Sequence, residues 1–573
     1  MHRRSSILVV LVVVSLILAG VAIFWDDLAG LTGAREREGG ASHETPPISG
    51  GSLERVEQRA CNLGSKILLR LWRGHAGRRS PDIVVVPKEP NFFGSLTVPN
   101  HSGPAQNLQQ VPLVLYGPGR INARGIVSDR HASITDVYPT VGRLTGVELA
   151  SREGELLHEA LAAGSEGSPR LIVVVVWDGV GRNVLERWPD AWPTLRSLER
   201  SGTSYLDATV GSSPSITPAT HANLGTGTYP RRHRVPAIFY RDESGKITGA
   251  FRGTDPSMLE VTTFADEIDL ALENQPLVGM LAWFNWHLPM MSHGKGLARA
   301  DADQIALIHD PADVRGNDQF YELPGSIANF PGFEDHMLAV DLEDGEQDGQ
   351  WMSHDLNERE TTGSYKKDNP AWVTYQTEMV LTMLREERYG LDDDSPDLFF
   401  TNYKVADVIG HRYIMDSPEM REVIEAQDDG LRKIIDYLDS AVEEYVLVLT
   451  ADHGHTPSPE RTGAWAVNTD ELASDVDDFF GVPEDESLVM GSKTAGLFLD
   501  HDVLGALSIE EAEVAAYLQD YTIRDNWREE KLPEGYQGRG EERVLSASFA
   551  ASLFPHILRC AFGSEQPPPS LDD

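Results

Sequence analysis

The run Leu171-Ile-Val-Val-Val-Val-Trp177, followed at once by Asp178 and Gly179, restricts the fold more than any other feature of the chain. A continuous apolar, β-branched run has no polar face, so a strand made from it must be covered on both sides, as in a sheet sandwiched by helices. Similar runs recur at residues 83–86, 111–116, 398–400 and 445–449, and helical spacing of apolar residues fills 53–72, 188–201, 372–387 and 419–438. Strands alternating with helices predict an α/β fold with a mixed, mostly parallel sheet. Residues 268–368 break that rhythm with aromatics, glycines and acidic clusters. They are expected to form an inserted cap region over the strand ends, where insertions carry substrate contacts.

Charge and cysteine content exclude several classes. Lys and Arg total 49 and Asp and Glu 89, a net of −40 over 573 residues, which repels a phosphate backbone and argues against nucleic-acid binding. The only cysteines are Cys61 and Cys560, too few for a four-thiolate zinc site. Any metal must therefore rest mainly on His and carboxylate. At the start, His2, Arg3 and Arg4 precede an apolar run at 7–25, and Asp26 and Asp27 follow. This order places the amino terminus inside, and the length suffices to span a bilayer. Residues 1–30 read as a membrane anchor, or as a signal segment if the small residues at 19–22 are a cleavage site. In both cases the remainder is exported. Residues 31–52 are polar and rich in Gly, Glu and Ser, a flexible linker, which leaves 53–573 as the folded unit.

Four segments carry chemistry. Asp178 ends a buried strand and is followed by glycine, at the rim where open α/β sheets place ligands. In Ser215-Ile-Thr217-Pro218 the threonine suits a helix N-cap and the proline the first turn, so the hydroxyl is expected at a helix amino terminus, which favours anions. Asp407 and His411, four apart, share one face of a helix. Asp452 and His453 close a further strand. Singly, each also reads as a turn residue, a cap or a salt-bridge partner.

In this order the four segments resemble the alkaline phosphatase superfamily, and within it the type I phosphodiesterase/nucleotide pyrophosphatase and related threonine-nucleophile phosphatases. The resemblance implies a phosphoric ester hydrolase acting through a phosphothreonine on Thr217 with two zinc ions. Asp178, Asp452 and His453 would hold one beside Thr217, and Asp407, His411 and a further histidine the other. The family's last histidine should follow the Asp-His-Gly, where only His455, His501 and His556 remain, none in the usual setting. That setting is found upstream instead, in His101-Ser-Gly-Pro, then Val111-Pro112 leading to Gly117-Pro118-Gly119, then Asp136 with Pro139-Thr140. A circularly permuted order, with residues from about 51 to 150 belonging after the carboxyl terminus, makes His101 the missing ligand. It also brings Cys61 and Cys560 to one seam, where a disulfide is expected, with two buried thiols as the alternative.

Two departures bear on substrate. The family's Asn about twenty residues after the nucleophile falls on Ile238, and Pro218 has no N–H, so the amides of Ala219 and Thr220 are left to serve. The aromatics Trp283 and Trp286 are candidates to stack on an ester substituent, or else form the core of the insertion. With no Arg or Lys evident near Thr217, diesters are expected to outpace monoesters. A phosphomonoesterase of the same superfamily, or an inactive extracellular binding protein, are the alternatives.

Overall fold

The computed structural model describes residues 50–562 except 98–99, 164–166, 312, 392–394 and 493–495; the expected anchor at 1–30 and nearly all of the linker at 31–52 lie outside the described residues. Five parallel strands form the centre of a nine-stranded sheet, in the spatial order Gln304–Asp310, Val278–Ala282, Asp397–Tyr403, Leu171–Trp177 and Tyr445–Thr450. Beyond the last of these, Leu113–Tyr116 and Thr203–Thr209 add antiparallel, and Gly125–Ser133 runs parallel to its neighbour. A short antiparallel strand, Asp313–Arg315, closes the other edge.

Every residue of the Leu171–Trp177 strand is buried, because the strand is flanked on both edges and covered on both faces. Val173 and Val175 pack under the helices Pro370–Glu386 and Pro418–Ala441, whereas Ile172, Val174 and Val176 face the helices Val137–Thr145 and Phe264–Ala271. The period-2 alternation of side chains thus divides one apolar run between two cores.

The expected cap at 268–368 is corrected in part, since it contains three strands of the central sheet, Val278–Ala282, Gln304–Asp310 and Asp313–Arg315. These runs are short and interrupted by Gly279, His309 and Asp310, which hid them among loops. The run at 83–86 is also reassigned. Ile83–Pro87 lies in a separate four-stranded antiparallel sheet with Val489–Ser492, Gly496–Leu499 and Leu545–Ala550, over an apolar cluster that includes Trp72, Phe480 and Phe554. The helical stretch at 53–72 is two helices, Gly50–Cys61 and Ser65–Gly74, parted at Gly64. Cys61 is joined to Cys560 by a disulfide with a Cα separation of 5.7 Å, so the first described helix is tied to the last, Phe554–Phe562.

Candidate active site

The carboxyl ends of three adjacent parallel strands converge on one buried cluster. Asp178 directly follows Leu171–Trp177. Asn402 lies at the end of Asp397–Tyr403, and Lys404 stands between that strand and the helix Val405–Arg412, which carries Asp407 and His411. Asp452, His453 and His455 follow Tyr445–Thr450. Glycine is required between them. Gly179 has φ +74°, and a Cβ on Gly410 would meet the ring of His455 at 2.4 Å, so the glycine of the Asp407-Val-Ile-Gly410-His411 segment makes room for a histidine from the next strand.

Thr217 is the first residue of the helix Thr217–Thr226, one place later than expected, with Ile216 at the cap position. Its hydroxyl accepts a hydrogen bond from Lys404 Nζ at 3.0 Å. The same ammonium donates to Asp178 Oδ1 at 2.9 Å and lies 2.7 Å from Asp407 Oδ2. This corrects the expectation that no cation stands near Thr217. Asn402 Nδ2 also donates to Asp178, at 3.0 Å, and the amide of Gly179 donates to Asp452 at 3.0 Å.

His101 enters from its loop to 3.4 Å from Asp407 Oδ1. Its ring stacks on His453 with centroids 3.5 Å apart. Nδ1 of His101 lies 3.1 Å from the carbonyl of Ser215; donating there leaves Nε2 unprotonated toward Asp407, the arrangement that prepares a histidine to bind metal. His411 Nε2 is 3.5 Å from Asp407 Oδ1, and His455 Nε2 is 3.1 Å from the same oxygen. His453 Nε2 lies 3.2 Å from Asp452 Oδ2 and 3.6 Å from Asp178 Oδ1. By contrast, His501 and His556 sit away from the cluster, beside Asp82 and Glu57.

Three carboxylates and one ammonium are buried here together. Burial alone would push Asp178 and Asp407 up, but the Lys404 ammonium together with the surrounding imidazoles holds both well below the usual carboxylate range. Burial would likewise favour neutral Lys404, and Asp178 and Asp407 override it and keep the amine charged. Burial and the neighbouring His453 press His101 well below its ordinary value, so it stays neutral. With Asp178 and Asp407 ionised against Lys404, the buried cluster has an excess of negative charge that a bound cation offsets.

The donor set fits divalent metal. Asp452 Oδ2 and His453 Nε2 are buried with no hydrogen-bond partner, and with Asp178 they form a group whose ligand atoms lie within 4.8 Å of one another. His101, Asp407 and His453 form a second such group, so His453 stands between the two sets rather than with Asp178 and Asp452 alone. Imidazole with carboxylate is the ligand chemistry of zinc.

Several side chains reach the cluster that the sequence did not mark as part of it. His221 and His287 make a third group with Asp178, His287 Nε2 being 3.5 Å from Asp178 Oδ2. Lys404 stands just ahead of the helix that carries Asp407, a position that by itself marks no site residue. Two candidates are corrected. Trp283 is buried and packs against Trp372 at 5.5 Å, so it belongs to the core and offers no face to a substrate; Trp286 is half-buried beside Phe284. The amide of Thr220 donates to the carbonyl of Ile216, which removes it from the donors expected beside the nucleophile. Ile238 packs with Ile216, Ala219 and Ala237, giving Thr217 an apolar flank.

Among known proteins, the chain is 35% identical over 100 residues to the alkaline phosphatase PhoD of Zymomonas mobilis subsp. mobilis (strain ATCC 31821 / ZM4 / CP4), a match covering 18% of this chain and 17% of that protein. The crystal structure of wild-type alkaline phosphatase PafA aligns at a TM-score of 0.47 and 16% identity, over 67% of this chain and 84% of that one. A mutant of PafA aligns at 0.46 and 16%, over 67% and 85%. The family described as type I phosphodiesterase / nucleotide pyrophosphatase matches from Ile172 to Ser548, a span that begins in the strand leading to Asp178 and takes in Thr217, Asp407, His411, Asp452 and His453. With that match over most of its length, the chain belongs to the type I phosphodiesterase/nucleotide pyrophosphatase family of the alkaline phosphatase superfamily.

Proposed function

We propose that the chain is an exported, zinc-dependent hydrolase of phosphodiester or pyrophosphate bonds that works through a phosphothreonine on Thr217. The observation that carries this reading is the position of the Thr217 hydroxyl. It is buried, at a helix start, and 3.0 Å from an ammonium that also grips two candidate metal-binding carboxylates. Asp178, Asp452 and His453 would hold one cation and Asp407, His411 and His101 the other; when bound, such ions act as Lewis acids on the attacking and leaving oxygens.

The chain's own residues supply the rest. Lys404 donates to Thr217 Oγ1 and so stabilises negative charge on the attacking oxygen; held as an ammonium, it cannot take the proton itself. With its proton given up to solvent, Thr217 Oγ1 forms a bond to phosphorus as the ester oxygen opposite it departs and takes a proton from water; a water molecule then cleaves the phosphothreonine and restores the hydroxyl. The half-buried Trp286 and the apolar flank at Ile238 suit a substituent on the ester, which favours diesters. The diester preference rests on that flank and on the family, since Lys404 supplies the cation whose absence had been the other argument.

Export draws support from the basic, apolar and acidic order of residues 1–30 and from the Cys61–Cys560 disulfide, a bond that persists in oxidising compartments. Among the described residues no helix is long and apolar enough to cross a membrane. A circularly permuted order is supported by the family match beginning at residue 172, while His101 and the Leu113–Tyr116 strand, both upstream of it, sit inside the same cluster and sheet. The test is turnover of matched aryl mono- and diesters and of a dinucleotide by the purified chain, with metal content measured alongside. Two zinc ions per chain with faster diester cleavage supports the reading; faster monoester cleavage assigns a phosphomonoesterase, and a metal-free, inactive chain a binding protein.

A further inference from the structure

A second group of carboxylates lies at the opposite end of the sheet from Thr217. Asp269 is on the helix Phe264–Ala271, and Asp301 and Asp303 immediately precede the strand Gln304–Asp310. That strand runs parallel to its neighbours, so its amino end, where these residues sit, faces away from the strand ends that carry Asp178 and Asp452. One oxygen from each of the three carboxylates lies within 4.8 Å of the others.

Burial makes this group unlike a solvated acidic patch. Asp269 is 3% and Asp303 6% exposed, and Oδ1 of Asp269 is buried with no hydrogen-bond partner. Nearby groups do not resolve it. Asp266 is engaged by Thr263 and by His293, whose Nδ1 lies 2.7 Å away. Asp303 accepts one hydrogen bond from Ser292, and Lys295 offsets part of the charge on Asp301. Burial, then Asp301, pushes Asp269 up to about 7, in keeping with carboxylates forced together without a counter-ion.

We propose that Asp269, Asp301 and Asp303 form a calcium site. The ligands are all oxygen, with no imidazole or thiolate, which selects a hard cation. Calcium takes six to eight oxygens in a flexible shell, which three carboxylates and water can supply, whereas magnesium demands a near-ideal octahedron and is held by one or two carboxylates. Exposed Asp301 gives an entry side where water completes the shell. The ion ties the helix to the segment that leads into an inner strand. It also anchors, through Ser292 and Asp303, the far end of the loop that begins at Trp283 and carries His287 against Asp178.

Calcium binding to the zinc-loaded full chain is measured by equilibrium dialysis and by thermal melting, for the wild type, Asp269→Asn and Asp301→Asn. One calcium ion per wild-type chain, an upward shift of the melting temperature by several degrees, and loss of both in each variant are expected. Because the wild type carries the uncompensated repulsion, Asp269→Asn should melt above it in calcium-free buffer and below it when calcium is saturating. Asp301→Asn, at an exposed position, keeps the test open if Asp269→Asn fails to fold. Equal calcium responses in wild type and Asp301→Asn, no calcium bound to the wild type, or a shift produced by magnesium but not calcium would overturn the proposal. The result is independent of ester turnover, so failure here leaves the Thr217 reading untouched.

Discussion

Lys404 Nζ donates to Thr217 Oγ1 at 3.0 Å across 187 positions of sequence, and it does so while paired with Asp178 and Asp407. On the proposed mechanism the lysine is placed to stabilise the attacking oxygen. Lys404→Met should lower kcat by roughly 10²–10³, the cost of losing one preorganised donor at a developing charge, with Lys404→Arg recovering part of it. Zinc should remain bound or bind more tightly, because the variant leaves Asp178 and Asp407 without their ammonium. An unchanged kcat with zinc retained would remove Lys404 from the mechanism.

Thr217→Ala should keep fold and zinc yet lose nearly all turnover. In the wild type, acid-quenched substrate turnover followed by peptide mapping should place the phosphoryl group on Thr217. Ser215 is the informative competitor, since its hydroxyl is committed to the carbonyls of His101 and Gly103. A label on Ser215 or Thr220 would contradict the assignment.

His101→Ala should release one of the two metal ions, whereas His501→Ala should release none, its imidazole being 3.2 Å from Asp82 and remote from Asp407. Elemental analysis after dialysis against a weak chelator distinguishes them. Moving residues 51–150 behind residue 573 should also leave an active protein if the order is permuted, because loop-closure entropy grows only slowly with length. Full metal content in His101→Ala would shift the search to His455, which already touches Asp407.

Gly410→Ala places a Cβ 2.4 Å from two atoms of the fully buried His455 ring. The clash falls on a ring with no exposed surface, so the substitution should destabilise by about 1–3 kcal/mol and weaken metal binding at Asp407. Gly505→Ala is the control. It lies in the helix His501–Leu507 with open space at its Cβ, and should be neutral or stabilising by up to about 1 kcal/mol. Equal melting temperatures for the two variants would refute the packing argument.

What could be read in advance followed the range of the physical signal. Asp178, Asp407, Asp452 and His453 declare themselves locally, through a strand end or an i, i+4 pair, and the central strands through continuous apolar runs. Lys404 gave no local sign, since a lysine ahead of a helix ordinarily points to solvent, and its three partners come together only when the sheet forms. Val278–Ala282 and Gln304–Asp310 were lost for a related reason: a buried strand of five to seven residues with a glycine or a polar end looks like loop until its neighbours cover it. The same holds for Trp283, whose burial depends on Trp372 from a helix far along the chain.

His233 gives the pH dependence. Its Nδ1 accepts from the amide of Val235 at 3.1 Å, and Nε2 lies 2.9 Å from Asn223 Oδ1, which together require the neutral, Nε2-protonated ring. Burial lowers its pKa to about 3, below the unfolded value of about 6.5. The unfolded chain therefore binds a proton that the folded one refuses, and stability rises with pH across that interval. The contribution is fully present above pH 6.5 and falls as pH drops toward 3, amounting to a loss of about 2 kcal/mol by pH 5. Chemical denaturation of wild type and His233→Gln at several pH values between 8 and 5 measures it. The variant keeps a donor for Asn223 without a group to protonate, so the gap between the two should narrow, or change sign, as the pH falls. A gap constant from pH 8 to 5 would mean that His233 is protonated or neutral alike in both states.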